Sequence, residues 1–276
     1  MGPLLALISA LAWGVADYLG GIASRRAAAT AVLVVGYPAG AMILSVFVFL
    51  LPGQFSTGAL LWGLAAGAVG TIAIALLYVA LSRGPMGVVS PITAVMSGAI
   101  PVTVGLMQGE RLTALAVVGI LMAAVAVTLV SRQRGEHAKA DPSTIFLAFA
   151  SGTFIGLYLS ALGTAPADSG IWAATIGRWS SSLIIAIGVF AVARNFPRYG
   201  FPWPLAVGCG FIDASANGIF QLASQQGQLA VVAVLGSLYP AATALLARIL
   251  LHERLGPLQL VGVLLALGAA ALLALA

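Results

Sequence analysis

Asp17, Arg178 and Asp213 are ionisable side chains set well inside long apolar stretches, and together they amount to two acids and one base. A single guanidinium neutralises one carboxylate. The other, held in low dielectric, either takes up a proton or balances a cation. Asp17 stands in "WGVADYLGG", inside a run from Pro3 to Ile22 that carries no other charge. An Asp on a water-soluble helix simply faces solvent, so the meaning of this one depends on what surrounds it.

Polar and aromatic residues cluster around these charges at helical spacing. Trp13 lies one turn from Asp17 on the same face. In "GFIDASANGIFQLASQQ", Asp213, Asn217, Phe220 and Ser224 share a face at i, i+4, i+7 and i+11, with Gln221 at its edge. Tyr78, Tyr158 and Tyr239 join Trp13, Asn217 and Gln221 as candidates for contacting a substrate or coupling ion. Tyr37 and Trp179 are further aromatics within apolar runs. The plainer roles are packing or an interfacial belt for the aromatics, interhelical hydrogen bonding for Asn217, and register-fixing for an Arg178–Asp pair.

Composition decides what these residues face. The chain has 276 residues, 61% hydrophobic and 7% charged, with a mean hydropathy of +1.11. A soluble domain carries about 25% charged residues, so the class is an integral membrane protein. The net charge of +5 comes from basic residues scattered singly between apolar runs, which excludes a nucleic-acid stripe. The lone Cys209 offers neither a disulfide framework nor a Cys-based metal site, and no cofactor is expected. "MGPLLALISA" lacks a basic n-region and reads as a mature span.

Ten apolar runs are long enough to cross a bilayer at about 20 residues each: 3–23, 30–51, 59–81, 87–107, 112–131, 144–163, 170–193, 203–226, 229–251 and 256–275. They lack the alternation of membrane β-strands and are therefore helices. The expected fold is all-α, with ten transmembrane helices. "RQRGEHAKADPS", residues 132–143, is the one long polar stretch and divides the chain into 1–131 and 144–276. With the N-terminus outside, nine basic residues fall in inner loops and only Arg111 in an outer loop. The positive-inside rule then places both termini outside the cytoplasm. A plasma membrane, of the bacterial inner type, is the expected location.

A shift of 143 residues aligns positions 78–126 with 221–269 at 14 identities in 49 pairs, without a gap. Glu-Arg-Leu recurs at Glu110–Leu112 and Glu253–Leu255, each time between two spans, and Gly119 matches Gly262. Two halves with an odd number of spans enter the membrane in opposite senses. Such inverted repeats accompany alternating-access transport with a midplane site. Pro91 and Pro101 are expected to interrupt the fourth span and Pro240 its counterpart, the ninth, as hinges. Glu110 and Glu253 are expected to sit at the N-termini of the helices that follow them. Gly36/Gly40 and Gly63/Gly67 are small-xxx-small pairs for close helix packing.

Ten spans in two halves, Trp13-Gly14, the Gly-Glu-Arg-Leu at 109–112 and "SLYPAATALLARILLHERLGPLQLVGVLLALGAAAL" resemble the EamA family of the drug/metabolite transporter superfamily. The resemblance covers the whole chain. It implies a secondary carrier of amino acids, sugars, nucleotides or other small metabolites and leaves the substrate open. The expected function is proton-coupled export of a small solute by alternating access. A facilitative exchanger or uniporter is the alternative.

Other classes fit less well. His137 and His252 lie in loops, and there is no H-E-x-x-H, nucleophile elbow or Walker loop, so no enzyme or ATP-driven pump is expected. No filter-like repeat supports a channel. The expected partners are the lipid bilayer, a small-molecule substrate and protons, with a monomer as the default state and a homodimer as the alternative.

Overall fold

A computed structural model of the chain describes residues 1–83, 86–131, 141–192, 200–250 and 256–276, without the side chains of residues 78, 86–87, 189–192, 247–248 and 250. The ring of Tyr78, the segment bearing Glu253 and most of the expected linker lie outside the described residues. The helices are α1 (Gly2–Ser24), α2 (Ala29–Leu50), α3 (Thr57–Arg83), α4 (Met86–Met107), α5 (Ala114–Val130) and α6 (Pro142–Thr164). They continue as α7 (Trp172–Val192), α8 (Trp203–Ser224), α9 (Leu229–Gly236), α10 (Tyr239–Leu250) and α11 (Pro257–Leu275). Among the described residues there is no strand.

The helix starts follow local chemistry. Thr113 caps α5 by accepting the Ala116 N–H at 3.1 Å, and Asp141 caps α6 through Thr144 N–H at 3.1 Å. The hydrogen bonds from Thr144 and Ser143 hold the Asp141 carboxyl below the usual carboxylate range. Pro142 occupies the first turn of α6, where its missing N–H removes no helical bond, so the helix begins two residues before the expected 144.

Among the described residues, eight spans are long and apolar enough to cross a membrane, with α9 and the start of α10 counted together as Leu229–Leu246. Two expected spans stand apart from these. At 17 residues α5 is a shorter apolar helix, about 26 Å long at 1.5 Å per residue. The first half of α7 holds Thr175, Arg178 and Ser180–Ser182, which dilutes its apolar character.

The expected breaks divide unequally. The ninth span is interrupted at Ser237–Leu238, between α9 and α10, next to Pro240. The fourth is not interrupted, since α4 runs continuously through Pro91 and Pro101. A proline deletes one helical hydrogen bond, and packing between α6 and α9 on either side holds α4 together around the loss.

Packing repeats when the first five spans are exchanged for the last five. Helix α1 packs on α8 as α6 packs on α3, α2 on α8 as α7 on α3, and α4 on α6 as α9 and α10 on α1. The pairs α2·α7 and α5·α11 map onto themselves. The same exchange holds for individual atoms. Ser9 Oγ donates to the Ala216 carbonyl at 2.8 Å, and Ser151 Oγ donates to the Ala73 carbonyl at 3.0 Å. Gly36 and Gly40 bring α2 against Gly210 of α8, while Gly63 and Gly67 bring α3 against Gly177 of α7. A Cβ on Gly67 would stand 2.6 Å from Ser180 Cβ, so only glycine allows that approach.

One end of the bundle, the end carrying Met1, is closed by contacts between the halves. All eight residues of α9 are buried there. The Glu110 carboxylate accepts the N–H groups of Leu229 and Ala230, the latter at 3.0 Å. Gln108 Nε2 donates to Thr164 Oγ1 at 2.9 Å, and Gln54 N–H to the Asp168 carbonyl at 2.9 Å. Glu110 thus caps α9, a helix of the other half, and not α5 that follows it. Thr113 already serves α5, while the start of α9 has no side-chain cap of its own residue Gln228.

Candidate functional site

The spans converge on a cavity of about 180 Å³, whose lining is mostly apolar but carries the membrane-embedded charges. That is the liquid volume of about six water molecules. Asp17 enters from α1, Tyr37 from α2, Tyr158 from α6, Arg178 from α7, and Asp213 and Asn217 from α8. Trp13 and Tyr239 also line it.

Arg178 is buried at 6% exposure and forms an ion pair with Asp213. Its guanidinium lies 4.4 Å from the centroid of the Tyr37 ring, a cation–π contact that covers the charge from a second side. Asn217 Nδ2 donates to the Asp213 backbone carbonyl at 2.7 Å and lies 3.5 Å from its carboxylate. Arg178 and Asp213 are therefore mutually satisfied, with Asn217 supporting the acid.

Asp17 differs. It lies deep in the protein, yet its side chain is exposed to the cavity void. Among the described residues it has no hydrogen-bond or ion-pair partner, and Asp213 repels it. Beside it, Trp13 packs on Phe220 at 5.6 Å between centroids and meets Tyr239 edge-on at 6.4 Å. Gly236 makes this possible, because a Cβ there would stand 3.1 Å from the Trp13 ring.

The serine hydroxyls of the lining are turned to the backbone. Ser97 Oγ donates to Ala94, Ser237 Oγ to Val234 and Ser181 Oγ to Gly67, at 2.8, 2.8 and 2.9 Å. Pro101 and Pro240 lack N–H groups, so the carbonyls of Ser97 and Gly236, four residues before them, lose their usual helical donors. Both of those residues line the cavity. The serine oxygens keep lone pairs, and the Tyr37, Tyr158 and Tyr239 hydroxyls of the lining can donate or accept.

Of the residues singled out in the sequence, the structure brings Asp17, Arg178, Asp213, Trp13, Asn217, Tyr158 and Tyr239 to this cavity. Gln221 stands elsewhere. It is fully buried, accepts the Ala174 N–H at 2.8 Å and donates to Ser169 Oγ at 3.2 Å, which fastens α8 to the start of α7. Phe220 lies beneath Trp13, and Ser224 Oγ donates to the carbonyl of Phe220 at 3.0 Å. Trp179 is half exposed and donates to Ser45 Oγ at 2.8 Å on the outside of the bundle.

Beyond the residues chosen from sequence, Tyr37 and the three serines join the lining, together with apolar residues such as Ile74, Leu77, Ile155 and Leu159. Ser181 had a signal, since it stands at i+3 from Arg178. Tyr37 sits beside Gly36, the contact that draws α2 onto α8. Among the described residues no three of His, Cys, Asp or Glu converge as metal ligands.

A multi-pass helical membrane protein enclosing a charged, aromatic cavity is the class these features define. The chain belongs to the EamA-like transporter family, whose model matches residues 1–132 and 142–275 in two stretches. No curated protein matches the sequence. A solved crystal structure of a protein shares the fold with a TM-score of 0.81 at 16% identity, over 99% of this chain and 96% of that one. At that identity the likeness is one of fold alone.

Proposed function

We propose that the chain is a proton-coupled secondary transporter that exports a small solute by alternating access around the Asp17–Arg178–Asp213 cavity. The single observation that carries this reading is the surplus carboxylate: one buried guanidinium is already matched by Asp213, and Asp17 faces the void without a partner. An unbalanced charge in low dielectric is relieved by a proton or by a bound cation, and exchange between the two is coupling. The groups facing Asp17 are Asp213 and Cys209 on α8, Arg178 on α7, Tyr37 on α2, Tyr158 on α6 and Tyr239 on α10.

The halves, 1–131 and 144–276, act as inverted repeats of five spans each, with 132–143 as a cytoplasmic linker. The exchange-invariant packing and the matched Ser9 and Ser151 hydrogen bonds support that reading. Both termini lie outside the cytoplasm at the plasma membrane, following the basic residues. In this reading the end where α9 and Glu110 join the halves is the outer gate. Opening that end moves α9 and α10 about the break at Ser237–Leu238, beside Pro240. The chain works as a monomer, and the reaction is transport without chemical change.

Reconstituted protein with an imposed pH gradient tests the coupling. Gradient-driven uptake by the wild type, lost in Asp17→Asn while solute exchange persists, is the expected result. Unchanged pH dependence in both Asp17→Asn and Asp213→Asn contradicts coupling through either acid and leaves a facilitative exchanger.

A further inference from the structure

The charge balance of the cavity says what kind of solute fits, taking the transporter reading above as its basis. Among the described residues, Arg178 is the cavity's cation, and it is held by Asp213 and covered by the Tyr37 ring. An incoming anion finds no unpaired positive charge. Asn217 spends its amide N–H groups on Asp213. Ser97, Ser181 and Ser237 each donate to a backbone carbonyl and keep lone pairs for the void. The serine oxygens favour a solute that donates hydrogen bonds, while the Tyr37, Tyr158 and Tyr239 hydroxyls serve either sense.

Charge and shape point the same way. Two carboxylates against one guanidinium leave the ionised cavity one negative charge in excess, located at Asp17. Trp13 stands one turn away on the same helix, with Tyr239 edge-on to it. A carboxylate flanked by aromatic rings attracts a cation through both the ion pair and the ring quadrupole. The site already holds one cation in this manner, since Arg178 lies on Tyr37 while paired to Asp213. The 180 Å³ void limits the solute to small molecules.

We propose that the cavity takes a small organic cation carrying a primary ammonium group, with the ammonium on Asp17 and its carbon skeleton against Trp13 and Tyr239. Proton and ammonium then compete for one carboxylate, which makes the exchange an antiport.

Calorimetric titration of the full chain in detergent tests the ligand class without requiring transport. The probes are 2-phenylethylamine, 2-phenylethanol, phenylacetate and phenylalanine, which share a ring and present a cation, a neutral group, an anion and a zwitterion. The amine is expected to bind the wild type about tenfold or more tightly than each of the others. In Asp17→Asn its advantage over the alcohol should fall to about twofold or less. Equal or tighter binding of the alcohol, phenylacetate or phenylalanine overturns the proposal, as does binding of none of the four. A tenfold preference that survives in Asp17→Asn overturns the role of Asp17. The wild-type series decides the ligand class even where the variant does not purify. A chain that binds the amine but shows no solute exchange contradicts the carrier reading and leaves the ligand class standing.

Discussion

Glu110 accepts the backbone N–H of Leu229, a residue 119 positions away in the other half of the chain. With Ala230 as its second donor, it supplies the negative charge that the N-terminus of α9 favours. Glu110→Gln keeps one acceptor and loses the charge. A loss of about 1–2 kcal/mol in stability is expected, together with faster labelling of a cysteine placed at the exposed Gln226 on the same end. Labelling and melting identical to wild type would mean that this contact does not hold the end closed.

The two acids should separate by stability. Asp213→Asn strands the buried Arg178 guanidinium, for which about 3–5 kcal/mol is typical. The lower end applies here because Asp213 is 31% open. Asp17→Asn strands nothing and should melt at or above the wild-type temperature. Thermal unfolding in detergent reads both, and an equal loss in each variant would contradict the pairing.

Glycine contacts give a prediction with a built-in control. Alanine at Gly40 or Gly67 places a Cβ within 2.7 Å of Ala214 or Ser180 respectively. Each should lose about 1–3 kcal/mol by overpacking, and by similar amounts, since exchange of the halves relates the α2·α8 and α3·α7 crossings. Alanine at Gly21 or Gly188 meets nothing within 4 Å and should cause no loss. Melting temperatures of the four variants check this.

Orientation is tested by labelling with an impermeant thiol reagent in a Cys209→Ala background. A cysteine at Gln226 or Ala276 should react from outside intact cells and one at Arg26 should not. The reverse pattern would contradict the orientation drawn from the basic residues. Gly2 is unsuitable for this purpose, because a side chain there would meet Gln226 at 2.8 Å.

Acid should loosen the start of α6. The Asp141 carboxyl is held below its usual range in the folded chain, so its cap is present above the ordinary carboxylate pKa of about 4. It is lost as pH falls through the lower folded value. Amide exchange at Thr144 should therefore quicken only below about pH 4. Acceleration at neutral pH would contradict the cap.

Much of the site was legible because bilayer-spanning helices make rare residues conspicuous. Asp17, Arg178 and Asp213 stood out against apolar runs, and helical spacing joined Trp13 and Asn217 to them. The stripe on α8 split for a reason that spacing does not contain. Four residues on from Asn217, Gln221 reaches the depth where α7 begins and finds the Ala174 N–H there. Glu110 carried a capping signal, but its partner helix depended on which loops meet at one end of the bundle. The continuity of α4 through two prolines likewise rests on neighbours, since each proline alone predicts a break.

Counterflow in proteoliposomes tests the central claim most directly. Vesicles loaded with unlabelled 2-phenylethylamine and diluted into a trace of labelled amine should accumulate label transiently above equilibrium, because a carrier returns its site only when occupied. For an amine that the calorimetry shows to bind, monotonic equilibration without overshoot, unaffected by the internal load, would mean that the Asp17–Arg178–Asp213 cavity does not alternate between the two sides and would contradict the account.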